Sequence, residues 1–308
     1  MHPLEQSEVV AAIERAVSIH LDRPWVARQF RDLDDRASNP CGIHHGDDFA
    51  VFAKFSADAD GARQFDVECR GLCFLHDHGA RTAQPVATGV LQTSSGTVLV
   101  LEAKTERAPK ERTPSDWRGI GSALGNLHGV HSDTFGLAGL DGYFGPLLQD
   151  NRPVASNRWV DFFRERRVEP FAELAVRSGN LPLEFVSRVD HFIGRLSTLV
   201  GPESIPTLLH GDAQQNNYLS TDDGAVLVDV SPFFGYPEND LAMIDVFEPV
   251  PIEVFDGYRD VRSIDTEFVD RRELWRVPVY LAIVGVDGGN AFGRTFLPRL
   301  DDALRFYR

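Results

Sequence analysis

Apolar residues open the chain at helical spacing. Leu4, Val9, Ile13 and Val17 share one face between Pro3 and His20 and predict a leading amphipathic helix. The period then shortens. Arg23–Phe30 reads as a strand, and Phe49–Phe55 as a strongly apolar strand interrupted by one cation, Lys54. Between them Ser38–Asp48 holds Asn39, Pro40, Gly42 and Gly46, too much punctuation for a helix or a central strand. A helix is expected over about 62–77, with Glu68, Leu72 and Leu75 on one face. Thr97–Ala103 is a further apolar strand that ends at Glu102, and Lys104–Ser115 is charged and carries Pro109 and Pro114. The boundary between two lobes, 1–103 and 104–308, is placed there.

The remainder is mostly helical. Asp116–Val130 has Ile120, Leu124 and Leu127 at core spacing, with His128 near its end as a packing feature. Phe135–Asp141 and Gly145–Asn151 form a long structured loop, Trp159–Arg167 opens a helix, and Leu183–Val200 is another amphipathic one. Helices around Val254–Tyr258 and Arg271–Gly285 close the chain, followed by Gly288–Gly293.

Thr207–Phe247 concentrates the candidate chemistry. Leu208 and Leu209 deliver His210-Gly211-Asp212 into a polar loop, Asn217 follows, and the strand-like Ala225–Val228 ends on Asp229. The turn Ser220–Gly224 is hairpin punctuation that can bring Asp212, Asn217 and Asp229 together. In phosphoryl transfer to a hydroxyl, one Asp accepts the acceptor's proton while an Asn and a second Asp hold magnesium. Turns also favour Asp and Asn for backbone reasons alone. The chain supplies a control: His45-Gly46-Asp47 repeats the triplet, but Phe52 stands where Asn would be, and no strand ending in Asp follows.

The pattern His-Gly-Asp, four residues, Asn and then an apolar strand ending in Asp resembles the aminoglycoside-phosphotransferase-like kinases, a branch of the protein-kinase fold. Phe233–Met243 resembles more narrowly the fructosamine kinase family, whose members carry a related aromatic-Gly-x-x-Glu-x-Asp-Leu-Ala segment. The resemblance implies an α+β, bilobal protein-kinase-like fold: a small N-terminal lobe with an antiparallel sheet and one key helix, and a larger, mainly helical lobe. It implies ATP and Mg²⁺ as cofactors, with Lys54 paired to Glu68 on the nucleotide phosphates and Glu102 and Ala103 at the adenine edge. Asp212 would be the catalytic base, and Asn217 and Asp229 the metal ligands. The loop 38–48 would cover the phosphates, with Cys41 in it.

The acceptor implied is a small molecule, a glycated amine of the fructosamine or ribulosamine type; an aminoglycoside or other amino sugar is the alternative, and a non-catalytic nucleotide-binding pseudokinase a third reading. Where this family usually has a Trp two residues after the catalytic Asp, the chain has Gln214. Val284–Gly289 also departs from relatives, which tend to have Asn and His there, while Asn290, Phe292 and Gly293 are kept. Gln214, Asp245 and Asp287 are the acceptor-site candidates. Asp240, near the start of a helix expected from Pro237, suits its exposed N–H groups.

Composition narrows this picture. The formal net charge of −15 disfavours nucleic acid and anionic membrane surfaces, which are held by clustered Lys and Arg, and suits a cationic substrate such as an amine. No apolar run approaches a membrane span, and Met1–Leu21 lacks the layout of a secretory signal. Three cysteines fit a reducing cytoplasm. Cys69, Cys73 and His76 share a helix face with His78 just beyond, but no second Cys/His cluster completes a zinc site, and packing explains them better.

Overall fold

The computed structural model of the protein describes residues 1–34 and 39–308; Ser38, expected in the loop before Asp48, lies outside them. The chain opens with α1 (Ser7–Leu21), β1 (Gln29–Asp32), β2 (Cys41–His45), β3 (Ala50–Ser56), α2 (Gly61–Asp77), β4 (Pro85–Gln92) and β5 (Thr97–Glu102). Next come α3 (Pro114–Leu127), a short hairpin of β6 (Gly142–Phe144) and β7 (Leu147–Gln149), then α4 (Trp159–Phe163), α5 (Glu169–Arg177) and α6 (Leu183–Leu199). β8 (Thr207–Leu209) precedes the hairpin of β9 (Tyr218–Thr221) and β10 (Gly224–Leu227). β11 (Phe233–Gly235), α7 (Pro237–Met243), α8 (Glu253–Arg259), α9 (Phe268–Asp287), α10 (Ala291–Arg294) and α11 (Phe296–Phe306) complete it.

Two compact units result. One comprises residues 1–116 together with 217–231, the other 117–216 together with 232–308. The β9–β10 hairpin therefore belongs with the N-terminal sheet, a grouping that a single cut along the chain cannot express.

In the first unit the strands form an antiparallel sheet in the order β1-β2-β3-β5-β4. Alternation sorts β3: Val51, Ala53 and Phe55 join Val9, Ile13 and Val17 of α1 in one core with Val86, Val98 and Val100. Lys54 consequently points to the opposite face, where α2 supplies Glu68. This region departs from the sequence-based expectation in two places. The strand expected over Arg23–Phe30 begins only at Gln29, because Trp25 leaves the sheet line to enter the core, its backbone N–H donating to the Ser18 hydroxyl at 2.9 Å. Cys41–His45, expected to be irregular, is an inner strand paired on both sides. Gly42 is not a breaker there: a Cβ would come within 2.4 Å of the Phe30 ring, so the glycine makes room for an aromatic on the next strand.

The β9–β10 hairpin is fastened to this unit by arginines. Arg112 donates to the Tyr218 carbonyl, and Arg81 to that of Asp223. The Arg107 backbone N–H donates to the Ser220 carbonyl at 2.8 Å, while its guanidinium reaches Asp222 at 3.5 Å.

The second unit is organised on α9, which is buried almost all round from Leu274 to Gly285, as expected of a helix at the centre of a core. Trp275 of α9 packs on Tyr236 at 5.2 Å and on Trp159 at 6.0 Å. The buried Glu238 of α7 accepts from the Trp275 indole at 2.9 Å and takes Arg271 in two bonds of 2.9 and 2.6 Å. Buried polar groups of this kind fix register as well as position. Among the described residues no helix is long and apolar enough to cross a membrane.

Candidate active site

Within the first unit, Lys54 donates to both oxygens of Glu68, at 2.9 and 3.1 Å, and in a short contact to Oδ1 of Asp229. All three positions follow from local structure. The strand alternation aims Lys54, the face of α2 aims Glu68, and the hairpin returns the chain so that Asp229 follows β10. Asp229 adopts a left-handed backbone, φ +51°, a conformation that Asp tolerates better than most residues with a side chain. Its neighbour Val228 donates its N–H to the Asn217 carbonyl at 3.0 Å, and the Asn217 side chain reaches the Asp229 carbonyl at 3.5 Å. Lys54, Glu68, Asn217 and Asp229 are thus gathered in one place.

Burial would pull the Lys54 ammonium down, but the carboxylates of Asp229 and Glu68 outweigh it and hold it above its ordinary range. One ammonium faces two carboxylates, which leaves an excess negative charge. Burial, reinforced by Asp229 and only partly offset by Lys54, therefore pushes the Glu68 carboxyl up. A divalent cation taken by hard oxygens would relieve that excess, and the Asn217 amide and Asp229 carboxylate are such donors. The chemistry of the set fits magnesium.

Glu102 and Ala103 lie at the end of β5. Their N–H groups are committed to the sheet, Glu102 to the Gln84 carbonyl at 2.8 Å and Ala103 to that of Ala50 at 3.0 Å. The Glu102 side chain pairs with Lys104 at 2.8 Å. Cys41 is buried in β2, its thiol pushed up to about 11 chiefly by burial.

Within the second unit, Asp212 stands on the loop that leaves β8. Pairing of β8 with β11, Leu209 opposite Phe233, brings α7 beneath that loop. Asp240 of α7 accepts the His210 N–H at 2.6 Å and the Gly211 N–H at 3.1 Å. Gly211 has φ +83°, a left-handed turn for which glycine is suited. Behind Asp240, fully buried His128 bridges it at 3.2 Å to the Tyr258 hydroxyl at 2.9 Å. The expectation that Asp240 serves its own helix start is corrected here. It holds the His-Gly-Asp loop, because strand pairing delivers that loop's N–H groups to it. His128 and Tyr258 are the residues that sequence reasoning missed as supports of the loop; the helical spacing of His128 signals burial, and nothing local signals the partner.

Gln214 donates its amide to Oδ2 of Asp212 at 3.2 Å. Asp245 is engaged by two cations of α9, Arg272 and Arg276, in short contacts. Asp287 ends α9 and accepts from Asn290 at 2.8 Å. The first His-Gly-Asp copy closes the turn after β2, with Gly46 donating to the Phe49 carbonyl at 2.9 Å and Asp47 on the surface.

An antiparallel sheet bearing a buried Lys–Glu pair and a helical unit bearing a His-Gly-Asp loop define the class: a protein-kinase-like phosphotransferase. A family model, fructosamine kinase, matches residues 9–304, and the chain belongs to that family. It is 29% identical over 242 residues to a probable ketoamine kinase of Enterococcus faecium, covering 78% of this chain and 81% of that one. The crystal structure of a putative fructosamine-3-kinase from Thermobifida fusca matches with a TM-score of 0.78 and 28% identity, over 97% of this chain and 99% of that one. A ternary complex of the aminoglycoside phosphotransferase APH(4)-Ia with ADP and hygromycin B shares the fold, with a TM-score of 0.64 at 14% identity over 96% and 98% of the two chains.

Proposed function

We propose that the protein transfers the γ-phosphoryl group of ATP to a sugar hydroxyl of a ketoamine, a sugar joined to an amine. The observation that carries this reading is the buried Lys54 held by Glu68 and Asp229. A buried ammonium placed opposite an excess of carboxylate is suited to exchanging partners when phosphate oxygens arrive. In this reading Lys54, oriented by Glu68, neutralises phosphate oxygens; the unit of residues 1–116 and 217–231 serves the nucleotide, and the unit of 117–216 and 232–308 carries the base and the acceptor. Asn217 and Asp229 hold Mg²⁺, which draws charge off the phosphate oxygens when bound. Asp212 takes the proton of the attacking hydroxyl as ADP leaves. With the N–H groups of Glu102 and Ala103 already used, the adenine edge is met by carbonyls there and by backbone beyond Ala103.

The named relative and the matching structures support an amine-linked sugar as acceptor, and the protein's acidity suits a cation. The Gln214 departure favours keeping amino sugars as a second reading. ADP release from Mg-ATP with a panel of fructosamines, ribulosamines and amino sugars decides among them. Phosphorylation of a glycated amine is expected. Turnover on amino sugars alone would replace the acceptor class, and nucleotide binding without turnover on any acceptor would leave a binding protein.

A further inference from the structure

Two residues after the proposed base, where the family usually has Trp, this chain carries an amide. Gln214 is half-buried, and its Nε2 donates to Oδ2 of Asp212 at 3.2 Å. The assignment of the amide follows from chemistry: a carboxylate only accepts, so nitrogen must face it. The backbone on both sides is pinned. Ala213 is fully buried, the Gln215 N–H donates to the Ile244 carbonyl at 3.1 Å, and the Gln215 side chain reaches Glu248 at 3.4 Å. On the other flank Gly211 is held by Asp240. Between these anchors the Gln214 side chain meets Asp212 with little backbone freedom to lose.

We infer that Gln214 is a positioning residue for the general base: its amide donor holds the Asp212 carboxylate in one rotamer, ready for the acceptor hydroxyl. The inference rests on Asp212 acting as the base. It assigns Gln214 to the chemical step, whereas a residue that merely walls the acceptor pocket would act on binding. A donor to a charged acceptor is among the stronger hydrogen bonds, and a base displaced by a fraction of an ångström loses rate steeply.

Two replacements separate the roles. Gln214→Met keeps the length and removes the donor; Gln214→Glu keeps the shape, replaces the donor by an acceptor and sets a like charge beside Asp212. Both should lower kcat by about 10-fold or more, the glutamate at least as much as the methionine, with KM for ATP and the melting temperature unchanged. Wild-type kcat in either variant, or a loss confined to KM for the acceptor, would overturn the inference. A second measurement needs no turnover. The side-chain amide resonance of Gln214, assigned by its absence in Gln214→Met, should move in Asp212→Ala, and an unmoved resonance would overturn the pairing. If the wild-type protein phosphorylates no acceptor, the proposed function falls while that resonance still decides the contact.

Discussion

Two carboxylates, Asp229 and Asp212, are held in place by opposite means. Asp229 sits among ions: it binds Lys54, which also binds Glu68, and the group carries more negative than positive charge. Asp212 is met by a side-chain amide and stands on a pinned backbone: Gln214 reaches its carboxylate, its own N–H donates to His210 Nδ1 at 3.3 Å, and the loop hangs from Asp240 by two N–H groups. The difference matches the proposed tasks. A group that must meet phosphate and metal needs charge that can be reapportioned, and a base that takes one proton needs an unchanging position. Charge is used where the partner changes, and geometry where it does not.

The largest effect expected on this contrast is from Asp212→Asn. It should cut turnover by roughly 10²–10⁴-fold, the worth of a positioned base, while the melting temperature stays at the wild-type value. A parallel loss of thermal stability would show the residue to be structural. Lys54→Met should behave differently, losing both activity and stability, because it takes the buried cation away from the largely covered Glu68 and the partly exposed Asp229. Breaking a fully buried pair costs on the order of 3–5 kcal/mol, and water around Asp229 brings this loss below that range. Chemical denaturation should show that loss, and Glu68→Gln added to Lys54→Met should restore part of it; strict additivity of the two changes would break the comparison.

Asp240→Ala should fall between, leaving two N–H groups and His128 without their acceptor. A loss of about 1–3 kcal/mol is expected in unfolding experiments, with turnover reduced and nucleotide affinity kept. The smallest effect concerns the thiols. At pH 8, Cys41 should be alkylated more slowly than half-buried Cys73 in the native protein, since burial keeps its thiol protonated. Peptide mass spectrometry after timed alkylation reads the order, and equal rates would mean that β2 opens readily.

Much of the first unit is legible in the sequence because its signals are local. The alternation of β3 isolates Lys54, the helical period of α2 sets Glu68 on a face with Leu72 and Leu75, and the hairpin is announced by its turn. The His-Gly-Asp loop is legible for the same reason: the spacing from Asp212 to Asn217, followed by a strand ending at Asp229, is a combination that the first copy of the triplet lacks. What the sequence conceals are consequences of long-range pairing. Gly42 looks like punctuation because the ring it accommodates, Phe30, belongs to the neighbouring strand. Asp240 looks like a helix cap because the register of β8 with β11 cannot be read from either strand alone. The partners of Asp245 lie on α9, at sequence separations of 27 and 31, beyond any local pattern.

The arginine fastenings of the β9–β10 hairpin bear on how this protein can be dissected. A fragment ending at Asp116 would keep Lys54 and Glu68 but lose Asp229, and Arg81, Arg107 and Arg112 would face water in place of the hairpin groups they now serve. The N-terminal sheet is therefore not an independently excisable module. Rebuilding it as one piece calls for residues 217–231 to be spliced back in, so that the segment travels with the sheet and not with its neighbours along the chain.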